Sequence, residues 1–257
     1  CLKLPILWIR AFFKRIFTNK IYWLTVLAAF FLLLCSIIYT DDLTGEKYTF
    51  ISLFYNEEIQ EAVKYGRISM HNILLGYDRG YLWMFCPIIV GIPCVMTKKN
   101  ERFVLFRMSK NKYIYTKYFS NLVAGGVILL IAYLLYMSVC MILVKENIWN
   151  MNLLRKLLSV FLWGVINTIP GIILSEFIEN KWLILCIPFV VNYFMHIFAG
   201  QIIPYQIWKY ISPYNYQIMF LNNGKMIISG IVISVCIVIM GAVFRKIMLE
   251  RRCDCGQ

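Results

Sequence analysis

The feature that most constrains this chain is a series of uncharged apolar runs. Several are about 18 residues or longer, enough to cross a hydrocarbon core roughly 30 Å thick as a helix. Ile21–Tyr39, Tyr118–Val144, Leu157–Ser175, Trp182–Gly200 and Met226–Phe244 contain no Lys, Arg, Asp or Glu. A further run, Tyr81–Met96, is also uncharged but holds Pro87, Gly91 and Pro93. The composition agrees: 61% of residues are hydrophobic and 15% charged, against about a quarter charged in a soluble domain. The predicted fold class is therefore all-α, a polytopic membrane protein with six transmembrane helices over residues 21–244.

The basic residues orient this arrangement. The stretch Thr97–Lys117 separates the second and third runs and carries Lys98, Lys99, Arg102, Arg107, Lys110, Lys112 and Lys117 against the single acid Glu101. Lys and Arg concentrate on the cytoplasmic side of membrane proteins, so this loop is expected inside. With six helices both termini are then cytoplasmic too. On that topology 17 of the 26 basic residues fall inside and nine outside. A net charge of +13 would suggest nucleic acid in a soluble protein. Here its distribution points to membrane orientation, and no nucleic-acid partner is expected. The loop is also long and aromatic for a tether, and reads as a docking surface for a partner. Asn100 is placed to cap a short helix over Glu101–Met108 with Phe103 and Phe106 on one side, and Ser109 to cap the next element.

The remaining segments follow from the same pattern. Residues 1–20 precede the first run. Lys3, Arg10 and Lys14 share one helical stripe and Ile9, Phe12, Phe13 and Ile16 another, the layout of a cytoplasmic helix lying against lipid headgroups. No cleavable signal peptide is expected. Residues 40–80 hold most of the acids and read as an outer loop with a short helix near Asn56–Tyr65. The prolines of Tyr81–Met96 remove backbone donors, so that helix should kink or break; the kink serves either a hinge or packing. Lys145–Lys156 reads as a short outer loop, and Glu176–Lys181 as a tight inner turn. Residues 201–223 carry Pro204, Tyr205, Trp208, Tyr210, Pro213, Tyr214 and Tyr216. This aromatic content suits the membrane interface and short re-entrant helices in the outer leaflet. Residues 245–257 read as a basic cytoplasmic tail.

Chemical motifs are sparse. There is no GxxxxGK[ST] phosphate loop, no HExxH and no GxSxG, so no ATP hydrolysis by the phosphate-loop route and no enzyme activity is expected of this chain. His196, in the fifth run, is either a proton relay or a neutral His bonded to a carbonyl or hydroxyl. Six of the nine cysteines lie in apolar runs and read as packing residues; no metal site is expected.

The arrangement resembles the membrane subunit of ABC-2 type ABC transporters over nearly the whole chain. The shared features are an N-terminal interfacial helix, a large inner loop between the second and third spans, a short inner turn between the fourth and fifth, and re-entrant helices before the sixth. The segment NERFVLFRMSKNKYIYTKYFSN is similar to the family's Glu-led helix, Ser-basic turn and Lys opening the third span, which here are Glu101, Ser109-Lys110 and Lys117. Ser212–Tyr216 resembles an element with Pro and Tyr that the family often carries before the last span. One departure is the absence of Gly between Glu101 and Ala124, where the family often has one.

The resemblance implies a permease of an ATP-driven exporter in a bacterial cell membrane. A separate ATPase subunit would bind ATP and Mg, with no cofactor in this chain. It would dock on the loop around Lys98, Lys99, Glu101, Arg102, Phe103, Phe106 and Arg107, and on Glu176 and Glu179. Two permease subunits, identical or different, would enclose a path lined by the second and fifth spans, with Pro87, Gly91, Pro93, Pro188 and His196. An outer gate would include Pro204, Pro213 and Tyr214. Peptides, hydrophobic drugs or lipid-like molecules are the expected cargo, exported or excluded for self-immunity. Two other classes remain compatible with the residues: a non-transporting anchor or sensor that recruits a cytoplasmic partner, and a membrane-embedded enzyme acting on lipid.

Overall fold

The computed structural model describes residues 13–14, 16–35, 37–40, 47–49, 55–65, 80–97, 110–144, 151–197, 202 and 224–254. Six long helices dominate them: α1 (Lys20–Leu34), α3 (Gly80–Thr97), α4 (Lys110–Val144), α5 (Met151–Phe177), α6 (Lys181–Ile197) and α7 (Gly224–Asp254). Each falls on one of the apolar runs. A short helix, α2 (Glu57–Lys64), and a two-stranded antiparallel hairpin, β1 (Ile37–Thr40) and β2 (Lys47–Thr49), lie between α1 and α3. Tyr115–Ile142 in α4 and Leu153–Phe177 in α5 are long and apolar enough to cross a membrane; Lys20–Leu34, Met84–Met96 and Lys181–Met195 are shorter apolar helices.

The boundaries differ from the sequence expectation in instructive ways. α1 stops at Leu34, with the Cys35 amide bonded back to Leu33 and Phe31. The β-branched Ile37 and Ile38, which extend the apolar run to Tyr39, enter a strand instead, as their stiff side chains favour. Among the described residues the all-α class expected from the sequence holds, this short hairpin apart. α3 runs through Pro87 and Pro93 without a break. α4 begins at Lys110, directly after Ser109, so the end of the basic loop is helical. α5 begins at Met151 and takes in Arg155 and Lys156, which belong to the short outer loop expected from the sequence. α7 continues through the basic residues assigned to a tail. The short helix expected near Asn56–Tyr65 is present as α2. Asn56 caps it by accepting from Glu58 N at 3.0 Å, with Glu57 and Glu58 in its first turn and Lys64 in its last. Asn19 caps α1 and Asn180 caps α6 in the same manner, each at 2.9 Å.

α4 lies at the centre, packed on α1, α3 and α5; α3 also packs on α5 and α6, and α7 chiefly on α5. The larger core joins Val26 and Ala29 of α1, Val90 of α3, Ile128, Leu129 and Ala132 of α4, and Val160 and Trp163 of α5. Tyr22 ties α1 to α4 through a hydroxyl bond to the Ala124 carbonyl at 3.0 Å. Polar residues inside the apolar helices return their hydroxyls to their own helix: Thr25 to Ile21, Ser120 to Thr116, Thr168 to Gly164 and Ser175 to Ile172.

Glycine sets the α4–α5 distance. A Cβ on Gly164 would stand 2.8 Å from the Gly125 carbonyl oxygen and 2.9 Å from the Gly126 Cα. Both are backbone atoms and cannot turn aside. Small residues at such crossings let two helix backbones approach closely. Gly171 differs, since a Cβ there would lie 3.5 Å from the Gly91 Cα and 3.7 Å from Cys94 Sγ, ordinary contact. Gly164→Ala should therefore force α4 and α5 apart and destabilise the protein by about 1–3 kcal/mol, the usual range for overpacking. Gly171→Ala should be tolerated. Thermal unfolding of the two variants in one detergent compares them directly.

Candidate functional site

Three helices converge on one carboxylate. Lys117 lies near the start of α4, Glu176 in the last turn of α5, and Arg245 in the second half of α7. Lys117 Nζ donates to Glu176 Oε1 at 3.2 Å, and Arg245 Nη2 donates to the same oxygen. The side chains of Lys117 and Arg245 are 0% and 2% exposed, and that of Glu176 is 13% exposed. Two cations in such a setting require an anion, because a charge without a partner in a low-dielectric interior is far less stable than one in water. The Arg245 guanidinium also lies over the Tyr118 ring, 5.8 Å from its centroid, within cation–π range. The Tyr118 hydroxyl donates to the Val238 carbonyl at 2.8 Å. A second apolar core underlies the cluster: Cys94 of α3, Tyr118 and Leu122 of α4, and Val165, Ile169 and Ile172 of α5, with Ile237, Val238 and Ala242 of α7 packed on it.

The same contacts give helix directions. Lys117 meets Glu176, Gly125 meets Thr168, and Gly126 meets Gly164, so α4 and α5 are antiparallel. Gly241 lies against Ile169, and Arg245 against Glu176, so α7 runs with α5. Gly91 faces Leu185, and Phe85 stacks on Phe189 with centroids 5.2 Å apart, so α6 runs against α3. The start of α4, the α5–α6 turn at 178–180 and Arg245 of α7 therefore share one end of the bundle.

The sequence-predicted site residues distribute unevenly. Glu176 is largely enclosed and engaged by Lys117 and Arg245, whereas Glu179 is exposed in the adjacent turn. Pro87, Gly91 and Pro93 of α3 and Pro188 of α6 are buried between helices. His196 belongs to α6, but its side chain lies outside the described residues. So do Lys98, Lys99, Glu101, Arg102, Phe103, Phe106 and Arg107 of the loop, and Pro204, Pro213 and Tyr214 before α7. Sequence reasoning kept charges out of the apolar runs and so did not join Lys117, Glu176 and Arg245. The available signal was charge complementarity. A cation opens the third run, an acid closes the fourth and a cation closes the sixth, all on the same predicted side. Among the described residues no group of His, Cys, Asp and Glu is arranged to hold a metal ion.

Removing the shared anion while keeping both cations should be strongly destabilising. Glu176→Ala should lose about 3–5 kcal/mol, the range for breaking a buried ion pair. Lys117→Met, which leaves the Arg245–Glu176 pair intact, should lose less. Thermal unfolding of both variants, followed by helical circular dichroism, checks the order. Comparisons of the chain with family models, with curated proteins and with solved structures returned no match, so the functional reading rests on the sequence and the geometry above.

Proposed function

We propose that this chain is the permease subunit of an ATP-driven exporter in a bacterial cell membrane, with the six long helices as its transmembrane spans and both termini cytoplasmic. Support for a membrane setting comes from which residues face outward. Trp23, Leu24, Leu27 and Phe31 of α1 are exposed, as are Trp182, Leu183, Val191 and Phe194 of α6 and Val232, Ile239, Met240 and Val243 of α7. In water, continuous apolar faces on three helices would drive association; in lipid they need no cover.

The observation that carries the transporter reading is the Lys117–Glu176 contact. It brings together the end of the basic loop and the α5–α6 turn, the two places where an ATPase would dock in proteins this chain resembles. Exposed Glu179 adds an acidic contact at that end. On this reading the ATPase partner holds ATP and Mg and does the hydrolysis. A second permease subunit, identical or different, completes the path, and the cargo is a peptide, a hydrophobic drug or a lipid-like molecule. A second reading, a membrane anchor or sensor that recruits a cytoplasmic partner without transport, is favoured by one observation. Pro87, Gly91, Pro93 and Pro188 are packed inside a single chain, not left on a face that a path would wet.

Purification in mild detergent separates these from an enzyme acting alone. An ATPase subunit should co-purify with the unaltered chain, and Glu101→Arg and Arg102→Glu should each reduce its recovery at least tenfold. Recovery unchanged by both reversals, or no ATPase at all, would remove the docking argument. An ATPase that binds but hydrolyses ATP without moving any cargo into vesicles would select the anchor reading.

A further inference from the structure

α7 meets the bundle along one stripe. Its buried positions among the described residues are Ser234, Gly241 and Arg245, with Ile237, Val238 and Ala242 half-buried between them, whereas Val235, Met240 and Phe244 are exposed. Burial of apolar surface stabilises in proportion to area, so a helix that packs chiefly on α5 through this one stripe is held less firmly than α4, which is packed on three helices. The polar contacts are correspondingly important. Arg245 reaches Glu176 of α5, and the Val238 carbonyl accepts from Tyr118 of α4. The seat of α7 is the smaller core, where Cys94 of α3 is wholly buried.

We propose that Lys117, Glu176 and Arg245 form a conformational latch that holds α7 shut over the core around Cys94. Opening the latch lifts α7 while α3, α4 and α5 remain packed. The reason for two discrete states is electrostatic. One carboxylate oxygen serves both cations, and attraction in a weakly polarisable interior is strong at contact and lost once water enters. An intermediate arrangement, with Arg245 withdrawn but still dry, is the least stable of all. The α4–α5 crossing does not depend on the latch, because it is set by backbone contact at Gly125, Gly126 and Gly164. Nothing in this proposal requires an ATPase or a cargo, so it stands or falls separately from the transporter reading.

Cys94 reports the state of α7. The full chain would be prepared with Cys94 as its one cysteine, the others changed to serine, and alkylated with N-ethylmaleimide in native membranes. A second preparation would keep only Cys140, buried in the larger core, as a control. Glu176→Gln should raise the Cys94 alkylation rate at least tenfold and leave Cys140 within twofold. Glu176→Asp keeps an anion at the position that faces both cations and should bring Cys94 back toward its slow rate. A Cys94 rate within twofold of the unaltered latch in Glu176→Gln would overturn the proposal. So would a parallel rise at Cys140, which would mean general loosening, or a Glu176→Asp variant that labels as fast as Glu176→Gln.

Discussion

A charge inside a weakly polarisable medium must be answered by an opposite charge at contact distance, and that requirement shapes one whole end of this molecule. Glu176 answers two cations from two other helices. Its position in the last turn of α5 therefore determines where α4 can begin and where α7 can pass. Lys117 is held at the depth of Glu176, and the two helical turns of α4 that precede it extend beyond the cluster. Arg245 adds the Tyr118 ring as a second support, which a lysine could not use as well, since the flat guanidinium both stacks and pairs. Breaking such a cluster is strongly unfavourable, although forming it adds little net stability over apolar packing. Its main effect is to select one relative depth of three helices.

The other constraint is steric. At Gly125, Gly126 and Gly164 the backbones of α4 and α5 touch, and the hydroxyl of Thr168, bonded back to the Gly164 carbonyl, occupies the space that a Cβ on Gly125 would take. Further along, α3 and α5 pass at ordinary contact distance where Gly171 faces Gly91 beside Cys94. Charge sets the depth of the helices and glycine sets their spacing. The aromatic pair Phe85–Phe189 then holds α6 to α3, the kind of stacked contact that adds about 0.5–1.5 kcal/mol beyond burial.

Much of this organisation could be read before any coordinates. Uncharged runs located every long helix, and Asn56, Glu57, Glu58 and Lys64 marked α2 through capping and helix-dipole preferences. The differences have a common cause: an apolar run ends at its first charged residue, whereas a helix need not. Lys117, Glu176 and Arg245 satisfy one another across helices, so the helices pass through them, and no single segment reveals that pairing. Ile37 and Ile38 are as apolar as a span requires, but a strand partner from Lys47–Thr49 claims them. The Gly125–Gly164 contact was also invisible, because a glycine in a helix carries no mark of the partner it admits.

The lengths of α1 and α4 have a consequence for the surroundings. At about 1.5 Å per residue, the 15 residues of α1 reach roughly 22 Å and the 35 of α4 roughly 52 Å. The two pack side by side, one shorter than a hydrocarbon layer of about 30 Å and one far longer. On the proposed membrane reading, one bilayer thickness would not match both helices: lipid bordering α1 would thin or let headgroups and water sink toward it, at fractions of a kcal/mol for each ångström of mismatch, and the deformation would be lopsided, deepest beside the shortest helix.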